Sequence, residues 1–455
     1  SGTAPHFPAV PCQADGKTAC PYPEDGLKAA GADVKAYRFS EGLSGPHDVN
    51  AITVVCLMAK SFNTEGTDRA NLDMEAFPFE KFTKVVAWVV APGPVILDFA
   101  PLVDSILISS LPGEMGGSGF TDIFFGKTSP AGHLTLTMPN SMHETSVTVN
   151  QDSDDYAEGF EFGYRWYEVH NKRPIFCFGW GLSYAKYMQV PHAEFRAPVA
   201  SWRPSVKMQL WRDSDAKETM IAVDQVVQLY VQHHKPHARS FKELAGFGKI
   251  EGLQQKKAIQ AEIELDTPMI WDSEPGDKTA YDKGWVPVTE FTVFISLHGV
   301  EHARPLFTVK VEDGEHKALR EYDFDQDGPM KFDQELAVWE QSQARGIVSQ
   351  KPAEREWDSI PSDSSSAAGA DCKQDIQCLL KALTLDEKLQ FFAGDLDAID
   401  HVPGVARLGI PEINMGDGPN GVANTIPGTA TSFPCNKAIG DTWDRNLTAR
   451  YARAM

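Results

Sequence analysis

Two textures of apolar and polar positions divide the chain. From about residue 25 to 190, apolar runs alternate with helical stretches. "NAITVVCLMA" (50–59) and "KVVAWVVAPGPVI" (84–96) are rich in Val and Ile, as strands of a parallel sheet buried on both faces are. "LVDSILISSLP" (102–112) has the apolar spacing of a short helix that stops at Pro112, and "GEMGGSGFTDIFFG" (113–126) places glycines where a helix begins or backbones approach closely. This is the pattern of an α/β layered domain, with ligand sites expected at the carboxyl ends of its strands. From about 195 to 325, strands follow one another without helices. "VDQVVQLYVQHH" sets Val226, Gln228 and Tyr230 against Val227, Leu229 and Val231, and "KELAGFGKIEGL", "AIQAEIEL" and "EFTVFISLHG" continue the series. Short strands at this spacing predict an immunoglobulin-like β-sandwich.

A polar, Ser/Ala-rich stretch ending in "SIPSDSSSAAGAD" (359–371) reads as a linker. After it, Thr384 and Glu387 form the capping box "TLDE". Leu385, Leu389 and Phe392 share a helix face, and Gly394 ends the helix.

Composition narrows the classes. The 455 residues suffice for two to four domains. A formal net charge of -21 argues against nucleic acid and anionic membranes as partners, since both demand a basic surface. No apolar run is long enough for a transmembrane helix. Seven cysteines permit a few bridges, with Cys12/Cys20 and Cys372/Cys378 near each other in sequence, whereas Cys56 in an apolar strand reads as a buried thiol. There is no CxxC pair, and "HHKPH" (233–237) lacks the company and spacing of a zinc site, so it reads as a loop at the sandwich edge. "NLT" at Asn446 is the only N-glycosylation tripeptide. The start of the chain lacks the regions of a signal peptide and suits a mature end left after cleavage, which makes secretion the expected localisation.

The chemistry concentrates in "SFNTEGTDRANLDM" (61–74), just past the first strand. Glu65 there has the reach of a proton donor, although a glutamate in such a loop also serves as a solvated turn. Asp68 and Arg69 suit a salt bridge that holds the loop. Asp417, in "GDGPNGV", has the setting of an aspartate that caps a Gly-Pro turn. Trp166, Tyr167, Trp180 and Tyr184 could stack on a ring-shaped ligand, and core packing where the α/β domain meets its neighbours is the plainer role. Arg407 either shapes the region of Asp417 or marks a strand entry.

Taken together, several stretches resemble glycoside hydrolase family 3, the β-glucosidase and β-xylosidase family. "TEGTDRANLDM" is similar to its acid/base loop, and "LPGEMGGSGFTDIFFGKTSPAGHLTLTMP" to its Pro-Gly-x-x-x-Gly stretch. "EGFEFGYRWYEVHNKRPIFCFGWGLSY" (158–184) is similar to the family's Gly-Tyr-Arg-Tyr and Phe-Gly-x-Gly-Leu-Ser-Tyr signature. "VVQLYV" and "KELAGFGKIEGL" resemble its fibronectin type III-like module, and "LTLDEKLQFFAG" and "ARLGIPEINMGDGPNGV" the opening of its (β/α)8 barrel.

The resemblance implies a multidomain α/β plus β protein. An α/β sandwich domain covers 1–194, a fibronectin type III-like domain 195–330, a linker 331–371, and the truncated opening of a barrel 372–455. The order is swapped, because the barrel comes first in the common arrangement. A barrel needs roughly 250 residues, and the family's nucleophilic aspartate has no counterpart motif here. The implied activity is retaining, exo-acting hydrolysis of terminal β-linked glucose or xylose, without cofactor or metal. Glu65 would be acid/base, Asp417 would grip the sugar, and Asp68 and Arg69 would support the loop. A β-linked glycoside and a further polypeptide segment completing the barrel are the implied partners. The rival reading is a non-catalytic carbohydrate-binding or assembly protein on the same scaffold.

Overall fold

The computed structural model describes residues 22–35, 51–59, 69, 71–144, 158–159, 161–185, 187–197, 203–212, 221–234, 241–255, 257–266, 269–271, 285–287, 289–312, 315–320, 322–333, 382–393, 401–414 and 431–455. They fall into two compact units. One comprises 9–350 together with 433–455, and the other 351–432. The final segment, which the sequence boundaries group with the barrel opening, therefore packs with the first unit.

The α/β part is a three-stranded parallel sheet in the order β1 (Thr53–Met58), β2 (Val85–Val90), β3 (Ser105–Ser109). β3 corrects the sequence reading, which expected a helix over 102–112. A short apolar run has no decisive period, and Ile106 and Ile108 are β-branched residues that fit a pleated surface beside β2. Helices α1 (Pro23–Ala29) and α2 (Gly116–Phe124) cover one face through Leu27, Trp88, Val90 and Phe120. On the other face, Val55, Leu57, Ala87 and Val89 join Phe79, Leu97, Met138 and Phe176 in a second core. Burial on both faces holds for β2. On β1, the outer strand among the described residues, Cys56 and Met58 are exposed, so the expectation of a buried Cys56 thiol is corrected. The helices reach across β2 and leave that end of β1 open.

Helix α3 (Tyr164–Val169) lies in the 158–184 signature. The chain then enters an antiparallel β-sandwich. One sheet is ordered β13 (Glu315–Arg320), β12 (Arg304–Glu312), β11 (Glu290–Ser296), β6 (Val223–His233), β7 (Glu243–Leu253). The other is ordered β14 (Met330–Asp333), β4 (Tyr187–Arg196), β5 (Ser205–Arg212), β8 (Ile259–Glu264). Inward residues of both sheets, including Val190, Leu210, Val227, Leu229, Ile263, Val293 and Leu306, form one continuous core. A separate ribbon pairs β9 (Met269–Trp271) with β10 (Trp285–Pro287). In "HHKPH", His233 is the buried last residue of β6 and lies 3.3 Å from Glu243, and His234 meets Thr292. His233 thus lies inside the sheet, between β11 and β7, rather than in an edge loop; His234 is exposed just past the strand, and 235–237 lie outside the described residues.

In the second unit, α4 (Leu385–Ala393) begins with the capping box read from sequence. The Thr384 N–H donates to Glu387 (2.8 Å), and the Glu387 N–H donates to Thr384 Oγ1 (3.3 Å). Leu385 and Leu389 are exposed among the described residues, so the helix's apolar face is not a core face there. Two short strands, β15 (His401–Val402) and β16 (Ile413–Asn414), pair antiparallel. Two helices close the chain in the first unit, α5 (Asn436–Gly440) and α6 (Arg445–Ala454).

Candidate active site

The carboxyl edge of the parallel sheet gathers three chain exits. The ladder continues one residue beyond the strands, with Ala59 N–H bonded to the Val90 carbonyl and Ala91 N–H to that of Ser109, both at 3.0 Å. The first exit leaves at Ala59 for the candidate acid/base loop, the second is the Pro-Gly-Pro turn 92–94, and the third is Ser110–Leu111. Glu65 and Asp68 lie outside the described residues, as does Asp417.

Arg69 is described, and it lies at the same edge. Its Nη1 donates to the Pro94 carbonyl at 3.1 Å. Just beyond, the Ile96 N–H donates to the Leu72 carbonyl at 2.9 Å, and Asn71 Oδ1 accepts from the Asp73 N–H. The segment after Arg69 is thus zipped onto the turn that follows β2. Gly93 lies close beside it, a Cβ there falling 3.3 Å from Arg69 Nη2. A parallel sheet explains the convergence, since its strands all leave at one edge and the side chains of the connecting loops gather there.

The aromatic residues of the 158–184 signature form the joint between the sheet domain and the sandwich. Tyr164 stacks on Phe178 (4.8 Å between centroids) and meets Tyr230 edge-on, while its hydroxyl accepts from the Leu244 N–H. Trp180 packs on Phe176 and His302, and the Tyr184 hydroxyl donates to the Ile123 carbonyl at 2.6 Å. The buried Tyr167 donates to Glu144 (3.1 Å); burial first and that carboxylate second raise its hydroxyl well above the usual phenol range, and Trp166 stacks on His170. Trp166, Tyr167 and Trp180 thus have ring partners within the protein, and Tyr184 a hydrogen-bond partner.

Two buried histidines, which the sequence reading does not single out, cross the same joint. His133 Nε2 lies 3.1 Å from the Leu297 carbonyl of the sandwich. His298 Nδ1 lies 3.3 Å from the Gly181 carbonyl of the sheet domain. Burial holds both rings neutral, lowering His133 to about 4 and His298 to about 3. Nothing local in "PAGHLTLT" or "SLHGV" signals this, because the partners are far away in sequence.

In the second unit, Arg407 belongs to a single helical turn (Ala406–Leu408) and not to a strand entry. It grips Glu387 with Nε (2.7 Å) and Nη2, and it also donates to the Ala382 carbonyl. These bonds from Arg407, with those from Thr384, lower the Glu387 carboxyl to about 2. Arg407 therefore braces the start of α4. Among the described residues, no group of three or more His, Cys, Asp or Glu is placed to hold a metal ion.

Comparison with known proteins gives one consistent picture. Residues 17–184 match the model of the glycosyl hydrolase family 3 C-terminal domain. The chain is 28% identical over 259 residues to a probable beta-glucosidase I of Emericella nidulans, covering 52% of this chain and 30% of the relative. It is 26% identical over 297 residues to an exo-alpha-(1->6)-L-arabinopyranosidase of Bifidobacterium longum, covering 62% and 38%. A solved Bifidobacterium adolescentis GH3 beta-glucosidase superposes with a TM-score of 0.51 at 25% identity, covering 66% of this chain and 46% of that one. The chain spans about a third of the length of these curated relatives.

Proposed function

Residues 17–184 place this chain in glycoside hydrolase family 3, and from that premise we propose that it contributes the acid/base half of a retaining β-glycosidase site. The observation that carries the reading is that Ala59 and Arg69, the described residues on either side of 60–68, both lie at the carboxyl edge of the sheet. A loop so flanked can present a carboxyl group to a substrate while its ends stay fixed.

In this reading, an aspartate of the barrel, supplied by sequence outside this chain, attacks the anomeric carbon. Glu65 gives its proton to the departing glycosidic oxygen. It then takes a proton from the water that opens the glycosyl-enzyme, and configuration is retained. The two carboxyl groups work about 5 to 5.5 Å apart. Asp417 accepts hydrogen bonds from two hydroxyls of the terminal sugar. Arg69, with Asp68 beside it, keeps the loop's return leg on the turn 92–94. The substrate is a glycoside with a terminal β-linked glucose or xylose, cleaved from its non-reducing end.

The sandwich is read as the fibronectin type III-like module and 372–455 as the barrel opening. The exposed Leu385 and Leu389 fit a helix whose remaining barrel neighbours lie outside this chain. We place the protein outside the cell, in keeping with its acidity; among the described residues no helix is long and apolar enough to cross a membrane.

Hydrolysis of aryl β-glucoside, β-xyloside and α-L-arabinopyranoside by the full-length polypeptide tests the reading. NMR of the first-formed anomer reports the stereochemistry. The expected outcome is retention on the preferred sugar and a loss of about 10²- to 10⁴-fold in Glu65→Gln. Inversion, or full activity in that variant, refutes it.

A further inference from the structure

We propose that residues 433–455 are a docking element whose partner is a composite face of this same chain, and that they hold this face without help from the residues that connect them to it. The face has three parts. They are the exit of β3 at Ser110–Leu111, the segment 132–135, and the β7 surface around Phe247 and Lys249.

Helices as short as α5 and α6 are marginal in isolation, so the order of this segment comes from what it touches. Asp441 is the first anchor. Its Oδ1 accepts from Thr135 Oγ1 (2.5 Å), Thr135 N–H (3.2 Å) and Lys437 Nζ (3.0 Å). Its Oδ2 accepts from Ser110 Oγ (2.7 Å) and Lys437 Nζ (2.8 Å). Lys437 Nζ also donates to Ser110 Oγ at 2.9 Å. A carboxylate with this many donors is fixed in position, and two of its partners belong to the sheet domain. The backbone adds Cys435 N–H to the Leu111 carbonyl and His133 N–H to the Asp441 carbonyl, at 2.9 and 2.8 Å.

Trp443 is the second anchor. It is 5% exposed, and its indole N–H donates to the His133 carbonyl at 2.9 Å. Its ring packs on Phe178 of the signature (5.6 Å) and edge-on to Phe247 of β7 (5.1 Å), so one side chain touches both domains. Trp443 has φ +51, a conformation that a non-glycine residue keeps only where its surroundings impose it. The third anchor is charged. Asp444 caps α6 through the Leu447 N–H (2.8 Å) and lies 3.6 Å from Lys249, while Arg445 covers the Phe247 ring at 4.6 Å. A cleft of about 250 Å³ along this seam is lined by β7 residues on one side and by Trp443, Arg445 and Asn446 on the other.

The test cuts the connection and leaves the contacts. A site-specific protease sequence is inserted near Ser364 of the full chain, the folded protein is cleaved, and the two fragments are followed by gel filtration on dilution. Co-elution at micromolar concentration is expected, with Asp441→Asn and Trp443→Ala each raising the dissociation concentration at least about tenfold. Arg450→Ala, on the exposed side of α6, leaves it unchanged. Circular dichroism of the uncut variants confirms that they fold, and Asp441→Asn, being nearly isosteric, serves if Trp443→Ala does not. Fragments of the unsubstituted protein that separate at once overturn the proposal. So does a cut Asp441→Asn protein that dissociates at the same concentration as the unsubstituted one.

Discussion

Arg69 donates to the Pro94 carbonyl and lies close beside Gly93. Replacing Arg69 by Ala removes a charged donor from a carbonyl, at a cost of about 1 to 3 kcal/mol. Denaturant titration should read that loss, and the proposed loop role adds a fall in kcat that Arg69→Lys partly restores. Stability loss without any effect on kcat would leave Arg69 a purely structural residue. Gly299 is stricter. With φ +98, and with a Cβ position only 2.6 Å from Cys177 Sγ and 2.8 Å from the Phe178 carbonyl, it admits no side chain where the two domains meet. Gly299→Ala should destabilise by at least about 1 kcal/mol, and an unchanged urea midpoint would contradict the close packing at this joint. Single residues were legible unevenly. The capping pair Thr384–Glu387 was plain because its logic spans three residues. The grip of Arg407 on Glu387 was not, since its partner lies a full loop away.

The strands of the sandwich could be read because alternation or continuous apolarity survives over 6 to 11 residues, as in β6, β7 and β8. β3 could not, because five residues with an apolar run of three carry no period. Its identity is decided by the hydrogen bonds that β2 offers, a tertiary fact absent from the local sequence. Cys56 illustrates the complementary failure. Its strand was recognised and its neighbours were not, so burial was assumed where β1 is open. Within the sandwich, Leu210 is fully buried in the core shared by both sheets. Leu210→Ala should cost about 2 to 5 kcal/mol in urea unfolding, and a loss under 1 kcal/mol would show that the two sheets do not share a close-packed core.

At the scale of the whole first unit, the joint between the sheet domain and the sandwich is built on neutral histidines. Burial lowers His133 to about 4 despite the carbonyls of Leu297 and Ala131, with Lys249 lowering it further. Burial likewise lowers His298 to about 3 despite the Gly181 carbonyl, with His133, His302 and Arg304 adding to the effect. An unfolded histidine takes its proton near pH 6.5. Below that pH the unfolded chain therefore binds protons that the folded chain refuses, and stability falls as the pH drops from 6.5 toward 4. Glu301, which burial raises to about 6, titrates in the opposite sense and offsets part of this. Two histidine protons less the part offset by Glu301 leave a net slope of about 1.5 kcal/mol per pH unit between pH 6 and 4.5. Urea midpoints at several pH values would show it, and a flat profile would mean that the rings are not held neutral. The aromatic part of this joint was legible, since the sequence reading put the signature's aromatics where the α/β domain meets its neighbours; the histidines were not, because their partners are far away in sequence. The functional claim is carried by Glu65, and it is tested most directly with two aryl glycosides of the preferred sugar, one with a poor leaving group and one with a dinitrophenyl group that departs without a proton. A general acid predicts that Glu65→Gln in the full-length polypeptide loses about 10²- to 10⁴-fold in kcat/KM on the first and far less on the second. Equal losses on both substrates, or none on either, would contradict the assignment.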